Sequence, residues 1–362
     1  MYRTQIIRSL TEWNLHCSAW NDLAARAGVH FPVHQSEPLA SLASHFFDPQ
    51  TFAAVLVWQG DRLVAGVPLV TRRRAVLAPT AKTLANDWSP RGCLLVDPQA
   101  DTAECASAFV EGWRELGMLF AQLDWLPLDE PQVKAMVAHW NEARIGCWIK
   151  PRFQVGRIDV PVDWDSYVGN WSRNRRKKQG QLERQLQRQG DVAFVDVDVS
   201  TKSAMAAAME QVYAIEHTGW KGQHGSSISS APSARCFFDE WAAFHASQGW
   251  LRLHWLTVGG EPIAFDLGTI IHGVFTSYKI SYLPAWAHYS PGQLLLRHQL
   301  EFLSRRGDVQ WIDCLGVLDE ATGRWATGSF PIGKIVLSAG SWLGNHTVSW
   351  MAGLSALKSR WR

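Results

Sequence analysis

Tyr289-Ser290-Pro291-Gly292-Gln293-Leu294 is the stretch on which the fold of this chain turns. Upstream, Leu251–Val258, Pro262–Ile271 and Val274–Tyr282 read as β-runs joined by tight turns at Gly259-Gly260 and His272-Gly273. Downstream, Leu294–Arg306 reads as a helix and Val309–Leu315 as one more strand. Ser290 is expected to cap that helix, Pro291 suits its first turn, and Gly292 has no side chain. A helix opened this way turns free backbone N–H groups and a positive dipole end outward, with nothing bulky in front of them. That is an anion site, and a pyrophosphate would fit it.

The rest of the chain sets bounds on that reading. Its 362 residues, 47% apolar and 19% charged, leave room for two globular domains and a large core. A net charge of +2 is too small to imply wholesale nucleic-acid binding, so any such role must rest on a local patch. Cys17, Cys93, Cys105, Cys147, Cys236 and Cys314 form no CxxC pair and no metal-ligand spacing; they read as reduced thiols, and no metal is expected. Neither a signal-peptide core nor an apolar run of roughly 18 residues occurs, so a cytoplasmic protein without a transmembrane segment is expected. Twenty tryptophans must mostly line cores or grooves.

An α/β order runs through both halves. Glu12–Ala27 reads as a first helix, followed by a hairpin of Phe52–Trp58 and Leu63–Val70, a helix Ala103–Leu116, a strand Phe120–Trp125, a helix Gln132–Ala143 and a short strand Gly146–Lys150. The series restarts near Pro151 with helices at Trp164–Val168 and Ser172–Gln189, a strand Val192–Val197, and helices Thr201–Ile215 and Ala234–Ser247 flanking a polar Gly219–Pro232 loop. Gln59-Gly60-Asp61-Arg62-Leu63-Val64-Ala65-Gly66 echoes Gly259-Gly260-Glu261-Pro262-Ile263-Ala264-Phe265-Asp266, which suggests two copies of one module with mixed sheets. The expected domains are 1–150, 151–340 and a helical tail 341–362. Only the second copy keeps an open helix start, because the first begins Asp97-Pro98-Gln99-Ala100-Asp101-Thr102 and its carboxylates would repel a phosphate.

Four segments carry a family likeness: Trp171-Ser172-Arg173-Asn174-Arg175-Arg176-Lys177-Lys178, Glu216-His217-Thr218-Gly219-Trp220-Lys221-Gly222, Ser290-Pro291-Gly292-Gln293-Leu294-Leu295 and Trp311-Ile312-Asp313-Cys314-Leu315-Gly316. In their order and spacing they resemble a tandem GNAT-fold acyltransferase of the CelD type, related to the Fem peptidyl transferases. The resemblance implies an acyl-CoA donor such as acetyl-CoA, its pyrophosphate at Ser290, Gly292, Gln293 and Leu294, and its pantetheine arm along Ile280, Ser281 and Tyr282. It implies direct attack by an amine or hydroxyl of a sugar, polysaccharide or cell-envelope acceptor. One departure stands out: relatives carry a Tyr-Lys pair where this chain has Ala321-Thr322-Gly323-Arg324-Trp325, and Arg324 supplies the lysine's charge but not its reactivity.

The remaining candidates keep two readings each. The cationic run Arg173–Lys178 opposes its helix dipole, so it is either a solvated face or a seat for a phosphate-rich partner. Trp171, Arg175, Arg176, Trp220, Lys221, Arg324 and Trp325 are the candidate acceptor groove. Glu216, at a helix C-terminus where a carboxylate is unfavourable, and Asp313, at a strand end, are the candidate bases, with turn-capping as the plainer role for Asp313. Two other functions stay open: a Fem-type aminoacyl-tRNA-dependent transferase using the basic run, and a non-catalytic binding protein of the same fold.

Overall fold

The computed structural model describes residues 2–74, 77–219, 225 and 227–360. In chain order the strands are β1 (Tyr2–Ile7), β2 (Phe52–Gln59), β3 (Arg62–Arg74), β4 (Leu77–Thr83), β5 (Leu95–Val96), β6 (Phe120–Pro127), β7 (Cys147–Asp159), β8 (Val192–Asp196), β9 (Leu251–Val258), β10 (Glu261–Ile271), β11 (Val274–Tyr282), β12 (Trp311–Val317) and β13 (Gly328–Ser338). Contacts group the chain into two compact units. One comprises Met1–Val29, Val33–Gln154 and Phe330–Arg362; the other comprises His30–Pro32 and Val155–Ser329. Residues 330–340, expected in the second module, therefore fall in the first.

In the first unit, β1, β2, β3 and β4 pair antiparallel in sequence, β4 pairs parallel with β6, and β13 pairs antiparallel with β6. Phe109 and Trp113 from the helix Thr102–Glu115, and Trp140 from the helix Pro131–Glu142, are fully buried with Val55, Val57 and Leu123. Asp101 caps the first of these helices through Ala103 and Glu104 N–H, so a carboxylate already occupies the amides there. Asp97 is buried against Arg26 and lies 2.8 Å from Arg62. The expected helix Glu12–Ala27 is interrupted, forming Leu10–Asn14 and Cys17–Arg26. Pro151, where the series was expected to restart, lies inside the 13-residue β7.

The second unit is built around the meander. Its strand order is β7-β12-β11-β10-β9-β8, antiparallel except for β11 against β12. Side chains alternate across β11, so neighbouring odd and even positions face opposite layers. Phe275 packs with Leu300 and Leu303 of the helix Pro291–Arg306. Tyr278 stacks on Trp241 of the helix Pro232–Ser247, with centroids 4.9 Å apart and planes at 11°. At the bulge between Leu267 and Gly268, a Cβ on Gly268 would lie 2.1 Å from the Thr276 carbonyl, so only glycine lets the strands approach there.

His245 ties the short His30–Pro32 segment to this unit. Its Nε2 lies 3.0 Å from the Pro32 carbonyl and its Nδ1 lies 2.7 Å from the Trp241 carbonyl. Burial outweighs both carbonyls and pulls the ring down from 6.5 to about 4. A base depressed on folding stabilises the protein fully only above its unfolded value, so stability falls as pH drops from 6.5 through 4. We expect wild type to lose about 3 kcal/mol relative to His245→Gln between pH 7 and pH 4, from about 1.4 kcal/mol per pKa unit. Urea unfolding of both proteins at the two pH values measures it, and a pH-independent difference would contradict the assignment.

Candidate functional site

The site begins where two parallel strands part. β11 pairs with β12 over Val274↔Trp311, Phe275↔Ile312 and Thr276↔Asp313, and the register ends there. Beyond this last rung β11 runs on to Tyr282, paired among the described residues on its β10 side alone, at Leu267↔Lys279, Asp266↔Ile280, Phe265↔Ser281 and Ala264↔Tyr282. Among the described residues its other edge is unpaired, which would suit an extended ligand that pairs with main chain, and Ile280 and Tyr282 are 46% and 42% exposed beside it. β12 also leaves its ladder with β7 between Asp313 and Val317, and Leu315 takes a φ of 58°. A leucine held in the left-handed region is strained, and such strain clusters at functional sites.

The helix start differs in detail from the sequence reading. A turn of 3₁₀ helix, Pro284–Tyr289, separates β11 from the helix Pro291–Arg306. Ser290 adopts φ 54°, and its hydroxyl makes no capping hydrogen bond. Gln293 and Leu294 N–H both donate to the Ser290 carbonyl, at 3.0 and 3.3 Å, and the Leu294 side chain is core. Pro291 has no N–H, so the amide left open is that of Gly292, which has no partner among the described residues. A Cβ on Gly292 would meet nothing within 4 Å, so the space before this turn is open. Fewer amides face outward than a bare helix start would offer, and an anion bound here needs charge from elsewhere.

That charge comes from the helix Arg173–Gln187. A pocket of about 360 Å³ is lined by Asn174, Arg175, Lys178 and Gln179 of this helix, by Ser290 and Gln293, and by Arg324 and Trp325. The Arg175 guanidinium sits in the corner formed by two edge-to-face indoles, 4.3 Å from the Trp171 ring and 4.5 Å from the Trp325 ring. Its Nη2 and the Gln179 Oε1 are buried with no hydrogen-bond partner among the described residues, and Gln179 is only 9% exposed. Unpartnered buried polar atoms cost about 1–3 kcal/mol each; a phosphate accepting from Arg175 Nη2 would remove that donor's penalty, whereas Gln179 Oε1 is an acceptor and needs a ligand N–H or O–H. Arg324 pairs with Glu320 on the exposed side of the same pocket.

Other expected acceptor residues sit differently. Trp171 and Trp325 are 7% and 3% exposed and belong to the core with Trp164, Leu300 and Leu303, with Trp325 also reaching the pocket wall. Trp325 instead donates from Nε1 to Gln293 Oε1 at 2.7 Å, fixing the turn from below. Arg176 donates to the Gly169 carbonyl at 2.7 Å and closes the preceding helix. Trp220 and Lys221 lie outside the described residues.

Of the two candidate bases, Glu216 is 1% exposed, and its Oε2 accepts from Ile228 N–H at 2.8 Å, a bond that ties down the following loop. Asp313 is fully buried at the last rung of the fork. Its Oδ1 accepts from Leu315 N–H at 2.9 Å, and its Oδ2 lies 3.0 Å from His30 Nε2. Nothing in the local sequence marks His30, because the pair is separated by 283 residues. Lys178 belongs to the cationic run already weighed as a phosphate seat, whereas nothing in the sequence marked Gln179 as a pocket residue. Burial, with Asp313 second, pushes the Cys314 thiol far above its usual range, which keeps it protonated and unsuited to attack. Among the described residues no group of three or more His, Cys, Asp or Glu is placed to hold a metal, and no helix is long and apolar enough to cross a membrane.

Comparison with known proteins bears on the fold. Residues 173–323 match the model of the acetyltransferase (GNAT) domain family. No curated protein matches the chain. Among solved structures, FemX is similar with a TM-score of 0.59 at 8% identity, over 92% of this chain and 96% of that one. L-PGS from Bacillus licheniformis is similar with a TM-score of 0.54 at 10% identity, over 93% and 95%. A conserved protein of unknown function from Bacteroides thetaiotaomicron VPI-5482 gives 0.51 at 11% identity, over 93% and 99%. At such identities the likeness is one of fold.

Proposed function

We propose that this acyltransferase, built on a GNAT domain over residues 173–323, takes its acyl group from a CoA thioester and passes it to an amine or hydroxyl of a sugar, polysaccharide or cell-envelope acceptor. The carrying observation is the pocket where Arg175, Lys178 and Arg324 meet the Ser290–Gln293 turn. Three cations and one open amide suit a diphosphate, and charge-assisted bonds of this kind are roughly twice as strong as neutral ones. The pantetheine arm would pair with the open edge at Ile280–Tyr282, which puts the thioester near the fork. Main-chain N–H groups there would steady the oxyanion that forms on attack. Holding acceptor and thioester together supplies about 7–11 kcal/mol of the barrier, more than a base can add. The acceptor class follows from the CelD resemblance alone.

A panel of CoA thioesters in a thermal-shift assay, followed by thiol release with amine and sugar acceptors, tests the donor. Binding at about one hundred times Kd adds roughly 2.7 kcal/mol to stability, a shift of several degrees. No shift and no thiol release would overturn the reading.

A second reading, aminoacyl transfer from tRNA, is favoured by Arg173 and Lys177, which are exposed on the same helix with no ion pair among the described residues. It predicts tRNA binding that weakens steeply with salt, and no affinity for CoA.

A further inference from the structure

We infer that His30 is the general base of acyl transfer and that Asp313 positions it; this rests on the donor reading above. Three residues from the N-terminal part of the sequence, His30-Phe31-Pro32, group with the second unit, and each is anchored there. Pro32 accepts through its carbonyl from His245, Phe31 packs on Tyr278 with ring centroids 5.9 Å apart, and the His30 carbonyl accepts from Thr276 Oγ1 at 3.5 Å. The His30 ring lies edge-on to Trp311, at 5.0 Å. These contacts place an imidazole over the Thr276↔Asp313 rung, the point at which β11 and β12 separate.

Chemistry selects the role. Asp313 has no exposed surface, and its second oxygen is held by the strained Leu315 backbone, so its carboxylate cannot turn away from His30. An ionised carboxylate accepts only, so His30 donates from Nε2, and Nδ1 is the basic nitrogen. Nδ1 has no partner among the described residues, and the His30 side chain is 19% exposed. A buried carboxylate that fixes the tautomer of a partly exposed imidazole is the arrangement used to take a proton from a nucleophile. Here the acceptor nitrogen or oxygen forms its bond to the thioester carbonyl carbon, and its proton moves to Nδ1. The carbon–sulfur bond then breaks with its electron pair leaving on sulfur, and the proton returns from Nδ1 to the thiolate. One thioester and one amine or alcohol thus give one amide or ester and one thiol.

His30→Gln keeps a donor toward Asp313 but has no basic nitrogen. It is expected to lower kcat about a hundredfold or more while leaving the CoA-induced thermal shift and the donor KM unchanged. Asp313→Asn, which removes the carboxylate that sets the tautomer, is expected to lower kcat in the same way. His30→Ala should regain turnover with added imidazole, a rescue that a merely structural contact would not show. A wild type that neither binds CoA nor releases thiol overturns the donor reading and this role with it. A wild type that does both, beside His30→Gln and Asp313→Asn variants of equal speed, overturns the base assignment alone.

Discussion

Gly292→Glu is expected to abolish CoA binding while leaving the fold intact. The space before Gly292 is open, with nothing within 4 Å of an added Cβ, so a side chain can start there without a clash. Its position in the first turn of the helix Pro291–Arg306 also suits a carboxylate, which the helix dipole favours there. The unfolding transition should therefore not move down. The donor suffers instead, because the carboxylate occupies the one open amide and repels the phosphate intended for it. At a separation of about 4 Å and an effective dielectric near 20, like charges repel by about 4 kcal/mol, close to a thousandfold in affinity. Gly292→Ala, which adds bulk without charge, should cost far less. Titration calorimetry with CoA separates the outcomes. Unchanged affinity in Gly292→Glu would remove the helix start from the donor site.

Arg175→Met is expected to weaken CoA binding about ten- to a hundredfold, the loss of one charge-assisted bond of roughly 1.5–3 kcal/mol. Methionine is chosen because Arg175 fills the corner formed by Trp171 and Trp325, and a small residue there would open a void. Losing the cation–π contacts should also lower stability by about 1–2 kcal/mol, so a modest fall in Tm accompanies the lost affinity. Arg176→Gln is the contrasting case. Its guanidinium serves the Gly169 carbonyl, so CoA affinity should hold even though the same net charge is removed. If the two variants weaken binding equally, the effect is one of overall charge, and the pocket has no specific part in it.

Much of the second unit was legible because its signals are local. Alternating β-runs with glycine turns define β9, β10 and β11 within a residue of their observed ends, and Pro291 marks the following helix. The same stretch also shows where local reasoning fails. Ser290 is a good cap by residue type, yet the preceding 3₁₀ turn forces it to a left-handed backbone that aims its hydroxyl elsewhere. Trp171 and Trp325 looked like groove residues because tryptophan suits both grooves and cores, and only packing distinguishes the two. Strand β1, the helix Ser36–Phe46 and strand β13 were not among the expected elements.

Residue order alone was enough to establish an α/β chain with a meander, a glycine-bearing helix start and a concentrated basic run, since each depends on neighbours a few positions apart. Tertiary structure decided which cations reach that turn, that Glu216 is spent on its own loop, and that His30 meets Asp313 across 283 residues. The physical reason is range: periodicity and turn chemistry act over a handful of bonds, whereas a pocket or a paired base exists only once burial has brought distant segments to hydrogen-bonding distance.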